Sequence, residues 1–333
     1  MERFRFNPRI VRDLRNYNRS KLAADTMAGL IVGIVALPLA IAFAIAASPG
    51  GDANHTIGPV AGIITAIVAG FIISALGGSR VQIGGPTGAF IVIIYGVVAE
   101  FGLTGLMLAT IMAGLFLALL GVFRLGTIIK FIPYPIVVGF TSGIAVTIFT
   151  TQVKDLFALQ MDAVPAEFVE KWIAYGKNFL TLDPATTIVG ILSIIIIALT
   201  PRFSKKVPGS LVAIILATVA VYFLNMFEIT KIETIGDRFG EIKAALPEIT
   251  ALSIFEGGVT WSMINTLIPT AITIAVLGAI ESLLSATVAD GVTGHHHDSN
   301  QELVGQGIAN IVTPFFGGIP AFYFYRCPLS SDG

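Results

Sequence analysis

The chain has 333 residues, of which 55% are hydrophobic and 12% are charged, and its formal net charge is −1. A mean hydropathy of +0.85 and so few charges exclude an ordinary soluble domain, in which about 25% of residues are charged. The composition therefore predicts a chain whose solvent is largely lipid.

The N-terminal residues 1–26 carry seven basic side chains and contain neither an apolar signal region nor a cleavage site. They are predicted to form a basic cytoplasmic leader. Helical spans follow, because about 20 apolar residues cross a hydrocarbon core of about 30 Å. The predicted spans are 27–47, 59–77, 84–99, 103–123, 131–150, 184–200, 208–227, 265–288 and 303–316, and a tenth is predicted to begin at Pro320.

The distribution of Lys and Arg predicts the orientation of these spans. With the N-terminus inside, the cytoplasmic segments hold thirteen basic residues and the outer segments hold six. This bias agrees with the rule that basic residues accumulate on the cytoplasmic side. We therefore expect an integral membrane protein with a cytoplasmic N-terminus, located in a bacterial inner membrane.

Two interrupted stretches predict the position of a binding site. The first is GGSRVQIGGPTGAF at 77–90, where Gly and Pro make a continuous helix improbable and predict a helix that starts inside the membrane. Free N–H groups at such a start suit an anion. FFGGIPA at 315–321 repeats the pattern, and paired broken helices indicate a transporter site. A Gly-rich bend that only packs closely against a neighbour is the alternative.

Glu281 is the only acid placed well inside a predicted span, and Ser285 lies one turn later on the same face. A carboxylate and a hydroxyl could hold Na⁺, and a desolvated carboxyl could instead carry a proton. A structural Glu bonded to another helix is the alternative. On the first span, Phe43 could wall an apolar side of a cavity, although ordinary packing is the default for such a residue.

Catalytic and metal-binding patterns find little support. The sequence contains no phosphate-binding loop with its Lys, no zinc-ligand spacing and no nucleophile elbow. The single cysteine, Cys327, excludes a cysteine metal cluster. The three consecutive histidines 295–297 lie in a polar stretch, for which a solvated loop is favoured over a metal site. We predict neither an enzyme nor a protein with a metal, a cofactor or a nucleic-acid partner.

Several segments, in order along the chain, resemble the SulP or sulfate permease family of anion transporters. They are DTMAGLIVGIVALPLAIAFAIA, GGSRVQIGGPTGAF, KFIPYPIVVGFTSGIAV, ESLLSATVADG and HDSNQELVGQGIANI. The resemblance covers about residues 20 to 321. It implies an all-α polytopic fold of two inverted repeats of seven segments, divided into a core and a gate domain that move as an elevator.

The resemblance also implies roles for particular residues. Anions would bind between the half-helices of spans three and ten, lined by spans one and eight. The substrate-binding residues would be Phe43, Gly85, Thr87, Gly88 and Ala321, and the coupling-ion residues would be Glu281 and Ser285. Family substrates include sulfate, bicarbonate, chloride and dicarboxylates, with Na⁺ or H⁺ as the candidate coupling ion. The expected partners are the anion and the lipid bilayer, and a homodimer is a candidate assembly.

The resemblance predicts a domain organisation and also exposes departures from the family. Residues 27–227 would form the first repeat, with spans 1–7, and 228–321 an incomplete second repeat, with spans 8–10. Residues 322–333 would form an atypical tail without a STAS domain. The family continues after GGIPA with small, polar residues, whereas this chain has the bulky FYFYRCPLSSDG where the anion is expected. We therefore expect a membrane domain of about nine or ten spans that is incomplete at its C-terminus.

The leading functional hypothesis is secondary active transport of a small anion. A nucleobase–cation symporter of the same architecture is one alternative, although acids would be expected in both spans eight and ten. A passive anion channel is a second alternative, and a truncated membrane protein that does not transport is a third.

Overall fold

The computed structural model describes residues 8, 10–11, 17–48, 55–127, 134–161, 164–165, 167–203, 209–240, 247, 249, 258–294 and 296–326. Its α-helices are α1 (Arg19–Ala46), α2 (Pro59–Leu76), α3 (Ile91–Val122), α4 (Tyr134–Leu156), α5 (Phe168–Lys177), α6 (Pro184–Phe203), α7 (Gly209–Met226), α8 (Ile235–Phe239), α9 (Trp261–Thr293) and α10 (Ser299–Val312). Short 3-10 helices cover Gly88–Phe90, Phe179–Thr181 and Thr313–Phe316. Two strands, β1 (Gln82–Gly85) and β2 (Phe322–Arg326), complete the described secondary structure.

Within the residues that the structure describes, six stretches of helix are long and apolar enough to cross a membrane. They are α1, α2, Gly88–Val122, α6, α7 and Trp261–Gly291 of α9. The predicted spans 84–99 and 103–123 are joined in one helical stretch, which is interrupted at Gly102, whose φ of 65° and ψ of −168° are not helical. The predicted start at 84 is wrong, because Gly84 and Gly85 belong to β1 and the helical stretch begins at Gly88. The predicted spans 131–150 and 303–316 correspond to α4 and α10, which do not meet the same criterion over their described residues.

The prediction that a tenth helix begins at Pro320 is wrong for the residues that the structure describes. Phe322–Arg326 forms β2, which pairs antiparallel with β1. The sequence FYFYR is rich in aromatic residues, which favour strands over helices. Pairing with β1, a strand from the other half of the chain, gives part of this segment its backbone hydrogen bonds in a ladder, where a helix would have formed them internally.

The chain divides into two compact units, residues 1–144 with 245–333 and residues 145–244. In the first unit, α10 packs between α2 and α3, and its glycines allow the backbones to approach closely. A Cβ atom at Gly305 would lie 2.8 Å from the amide nitrogen of Gly77, at the end of α2. A Cβ atom at Gly307 would lie 2.6 Å from the amide nitrogen of Ala118 in α3. The first unit is therefore built around a helix with two glycine-lined faces.

Polar side chains of α10 are buried at this packing and are satisfied by distant backbone. Glu302 is 1% exposed, and its Oε2 accepts hydrogen bonds from the amides of Gly78 (2.8 Å) and Ser79 (3.1 Å). Its Oε1 accepts from Nε2 of Gln306 at 3.0 Å. Glu302 lies one residue before predicted span 303–316, so it is a second buried acid that the span boundaries did not reveal.

The loop between α9 and α10 differs from the solvated histidine stretch predicted for it. His295 lies outside the described residues, and the side chain of His296 is 97% exposed. The side chain of His297 is only 4% exposed, its Nδ1 lies 2.7 Å from Oδ2 of Asp290, and its Nε2 lies 2.9 Å from Oγ of Ser299. These contacts link the end of α9 to the start of α10.

The second unit contains α6 and α7, which pack on each other, and the amphipathic helix α5. Tyr175 of α5 packs with Val153 and Leu159 in a small hydrophobic cluster. Burial, together with the charge of Asp155, raises the pKa of Tyr175 to about 12. Most of the large apolar residues of α6 are exposed in the described structure, as expected for a helix surrounded by lipid or by further protein.

Candidate functional site

The two interrupted stretches predicted from the sequence lie side by side. Gly84 of β1 pairs with Tyr323 of β2, and Gly85 pairs with Phe322. The register shifts between Ile83 and Gly84, which marks an irregularity in the ladder. This two-stranded sheet joins segments from the two halves of the chain inside the first unit.

A helix starts immediately after β1, as the Gly and Pro residues predict. Gly88–Phe90 forms a 3-10 turn that leads into α3, with Thr87 as its N-cap. The Thr87 hydroxyl accepts a hydrogen bond from the amide of Ala89 at 3.1 Å, which satisfies one of the free donors at the helix start. Gly85, Thr87 and Gly88 are all buried, so this helix start lies inside the protein.

Thr87 also connects this helix start to Glu281 of α9. Its hydroxyl donates to Oε1 of Glu281 at 2.8 Å. The other carboxyl oxygen of Glu281, Oε2, is buried and has no hydrogen-bond partner among the described residues. The predicted substrate-binding residue Thr87 and the predicted coupling-ion residue Glu281 are therefore in direct contact.

Ser285 lies one turn after Glu281 and is bound by Gln82 of β1. Nε2 of Gln82 donates to Oγ of Ser285 and to the carbonyl oxygen of Ser282, both at 2.8 Å. Oε1 of Gln82 and Oγ of Ser282 are buried without a partner in the described part of the chain. The face of α9 that meets β1 thus presents several oxygen atoms, the ligand type that hard cations prefer.

Ala321, predicted to bind substrate from the second interrupted stretch, is fully buried just before β2. Its amide donates to Oδ1 of Asn310 at 2.8 Å, and its carbonyl accepts from Nδ2 of Asn310 at 2.6 Å. Both backbone groups of Ala321 are therefore engaged by one side chain of α10.

Aromatic rings fill the space next to these backbone segments. Phe322 is fully buried and stacks on Phe90, with ring centroids 4.4 Å apart and an interplanar angle of 20°. A Cβ atom at Gly278 of α9 would overlap the Phe322 ring. Phe43 of α1 packs against the same hydrophobic cluster. Phe322, the first of the bulky residues found where the family has small, polar ones, thus lies between the start of α3 and Gly278 of α9.

The structure brings Thr87 and Glu281 into contact and places Gly85 opposite the residue that follows Ala321. Ser285 joins them through Gln82, which sequence analysis missed, along with Ser282 and Asn310. Gln82 is a polar residue between Val81 and Ile83, which is the only local signal of its role. Asn310 had no such signal, because its partner is set by the path of the chain in space.

Comparisons with known proteins bear on the whole chain. A sequence model described as "Sulfate permease family" matches residues 22–326. The putative sulfate transporter YvdB of Bacillus subtilis is 42% identical over 308 residues, which cover 92% of this chain and 55% of YvdB. The bicarbonate transporter BicA of Picosynechococcus is 31% identical over 312 residues, covering 90% of this chain and 51% of BicA. The chain spans about half the length of these curated relatives.

The fold of this chain is also similar to those of solved membrane-protein structures. The transmembrane domain of a cyanobacterial bicarbonate transporter BicA aligns with a TM-score of 0.76 and 29% identity, covering 92% of this chain and 75% of that one. The structure of SLC26A9 aligns with a TM-score of 0.76 at 18% identity, covering 95% of this chain and 51% of that one, which is a likeness of fold alone. The predicted fold class, an all-α polytopic membrane protein with an inverted-repeat transporter fold, is confirmed by these neighbours.

Proposed function

Since the chain belongs to the sulfate permease family, we propose that it carries a small anion such as sulfate or bicarbonate across the membrane as a secondary transporter. The observation that carries this proposal is the contact between Thr87, at the buried start of a helix, and the Glu281 carboxyl. A helix start supplies a favourable end of the helix dipole for an anion. The names of the relatives YvdB and BicA support sulfate and bicarbonate as the first anions to test.

The proposal assigns the anion to the space bounded by Phe43, Gly85, Thr87, Gly88 and Ala321. Because Thr87 contacts Glu281, binding of Na⁺ or H⁺ to the carboxyl would alter the hydrogen bond between these two residues. It would thereby affect the helix start that faces the anion. Ser285, held by Gln82, would supply a further oxygen ligand to the cation. Coupling by this route is a population shift, in which the cation favours the conformation that also binds the anion.

Elevator-type alternating access belongs to the same proposal. All seven proposed site residues lie in one compact unit, residues 1–144 with 245–333. An elevator mechanism requires this arrangement, because one unit then moves as a rigid body together with the bound anion. A cytoplasmic N-terminus, a bacterial inner membrane and a homodimer complete the proposed setting, and the protein is integral to the membrane.

Reconstitution in liposomes tests the function. The purified protein should take up labelled sulfate or bicarbonate, and an inward Na⁺ or proton gradient should drive accumulation above electrochemical equilibrium. Competition among unlabelled sulfate, bicarbonate and dicarboxylates then ranks the substrates. Uptake that never exceeds equilibrium would instead indicate a passive channel, and a lack of transport for all these anions would contradict the proposal. The nucleobase–cation symporter is not favoured, because the named relatives are sulfate and bicarbonate transporters.

A further inference from the structure

The segment Ile319–Ala321, which leads into β2, is held by side chains from two different helices. The amide of Ile319 donates to Oγ1 of Thr65 in α2 at 2.8 Å. Thr65 is fully buried, and its hydroxyl donates to the carbonyl oxygen of Ala61 at 2.6 Å. One hydroxyl can make both bonds, because it offers one hydrogen and two lone pairs.

Asn310 of α10 holds the other end of this segment by a two-way pairing with Ala321. Its Nδ2 also donates to the carbonyl oxygen of Gln306 at 2.9 Å, so both N–H donors of the side-chain amide are used. The primary amide acts here as a neighbouring strand would, with one donor and one acceptor directed at one residue. Pro320 has no N–H, so both amides of the segment have a side-chain acceptor.

The position of this segment determines where β2 begins. Phe322, the next residue, pairs with Gly85, and Gly85 is three residues before the helix start at Gly88. A displacement of the backbone of Ile319–Ala321 would therefore move Phe322 and the side of the proposed anion site that lies next to β2. In a membrane interior no water replaces a lost hydrogen-bond partner, so the loss of each of these bonds costs more free energy than it would at a solvated surface.

We infer that Thr65 and Asn310 are positioning residues for the anion site, because together they fix the backbone of Ile319–Ala321 against the start of α3. This inference rests on the proposed function. It also changes the role of Ala321, whose amide is engaged by Asn310 and does not donate to an anion in this conformation. Ala321 contributes through the placement of the chain.

The chain offers a matched control for each variant. Thr110 of α3 is also fully buried and donates to a carbonyl four residues earlier, that of Leu106 at 2.6 Å. Thr65→Val and Thr110→Val therefore remove the same kind of hydroxyl, and only Thr65 also accepts from Ile319. Asn225 pairs with both backbone groups of Ile232, each at 2.9 Å, as Asn310 does with Ala321. Asn225→Ala is thus the control for Asn310→Ala, in a unit that lacks the proposed site residues.

The experiment compares uptake kinetics and backbone protection in the whole protein. In liposomes, Thr65→Val and Asn310→Ala should raise the KM for labelled sulfate or bicarbonate at least about tenfold, as loss of a buried hydrogen bond can. Thr65→Ser, which keeps the hydroxyl, should restore the wild-type KM, and both controls should retain it. Hydrogen exchange should accelerate at least about tenfold at Ile319 in Thr65→Val and at Ala321 in Asn310→Ala.

The outcomes separate this inference from the proposed function. A wild-type protein that moves no anion would overturn the proposed function and the positioning role with it. If the wild type transports while Thr65→Val and Asn310→Ala keep its KM, the inference fails and the proposed function stands. An equal fall in maximal rate in site and control variants, with unchanged KM and equal loss of thermal stability, would show a merely structural role and also overturn the inference.

Discussion

At the scale of single residues, the hydroxyl of Thr87 has two partners at once. It accepts from the amide of Ala89 at the helix start and donates to Glu281. A hydroxyl can do both, so a change at the carboxyl is transmitted to the helix start through one oxygen atom. The other oxygen, Oε2 of Glu281, is buried without a partner among the described residues, and in the proposed function it is the position that a cation or a proton would take.

Glu281→Gln should abolish the dependence of anion uptake on a cation gradient while leaving the protein folded. The amide oxygen of Gln still accepts from Thr87, so the contact that supports the fold is kept, but the negative charge is gone. Uptake into liposomes with and without Na⁺ and pH gradients measures the effect. Gradient dependence equal to that of the wild type would remove Glu281 from the coupling mechanism.

A bulky side chain at Gly85, as in Gly85→Val, should weaken anion binding at least about tenfold, because it denies the anion close approach to the backbone. Titration calorimetry with sulfate or bicarbonate measures this. Gly96→Val is the control, since a Cβ atom at Gly96 of α3 would meet nothing within 4 Å. Binding by Gly85→Val as tight as by the control would argue against a site at this helix start.

At the scale of helices and strands, small residues decide how closely the backbones pack. A Cβ atom at Gly62 of α2 would overlap the carbonyl oxygen of Ala40 in α1 and lie 3.0 Å from Cβ of Ala44. Ala40 and Ala44 are both fully buried. The contact between α1 and α2 therefore depends on the absence of a side chain, as in other packed membrane helices.

Gly62→Ala should destabilise the protein by about 1–3 kcal/mol, because backbone atoms cannot move aside as a flexible side chain can. Gly33→Ala, at an exposed position of α1, makes the same chemical change with nothing within 4 Å, and should be neutral or stabilising by up to about 1 kcal/mol. Thermal unfolding in detergent compares them. Equal melting temperatures for the two variants would show that α1 and α2 do not pack this closely.

The helices and the interruption at 77–90 could be predicted because each has a local chemical cause, namely apolar length and Gly or Pro. The burial of Glu302 could not, since its partners Gly78 and Ser79 are more than 200 residues away along the chain. Asn310 lies in the predicted span 303–316, where nothing in the local sequence indicates a partner. It binds Ala321 because the backbone of Ile319–Ala321 passes next to it in the folded chain. Strand β2 could not be predicted, since its partner β1 lies more than 200 residues earlier in the chain.

At the scale of the whole molecule, the proposed site draws on residues from both ends of the sequence. The first compact unit joins residues 1–144 to 245–333, so it takes helices from both predicted repeats. The boundaries 27–227 and 228–321 for the two repeats stay a prediction. The repeats are defined by resemblance to the family, whereas the compact units are defined by which residues contact one another.

The topology can be tested on either side of α6, whose 20 residues span about 30 Å. In a Cys327→Ser background, a membrane-impermeant maleimide should label Lys177→Cys in intact cells and should not label Arg202→Cys. Both positions are exposed, so both should react once the membrane is permeabilised. Labelling of Arg202→Cys alone in intact cells would reverse the orientation inferred from the basic residues.

The hydrogen bonds of Glu302 also have a consequence for the order of events during synthesis. Gly78 and Glu302 are separated by 224 residues, so the amides of Gly78 and Ser79 are synthesised long before their acceptor has been translated. Contacts this distant in sequence close late and slowly, since a long loop must be ordered first. Nascent chains stalled before residue 302 should therefore contain the early helices without this contact, with the amides of Gly78 and Ser79 lacking their carboxylate acceptor.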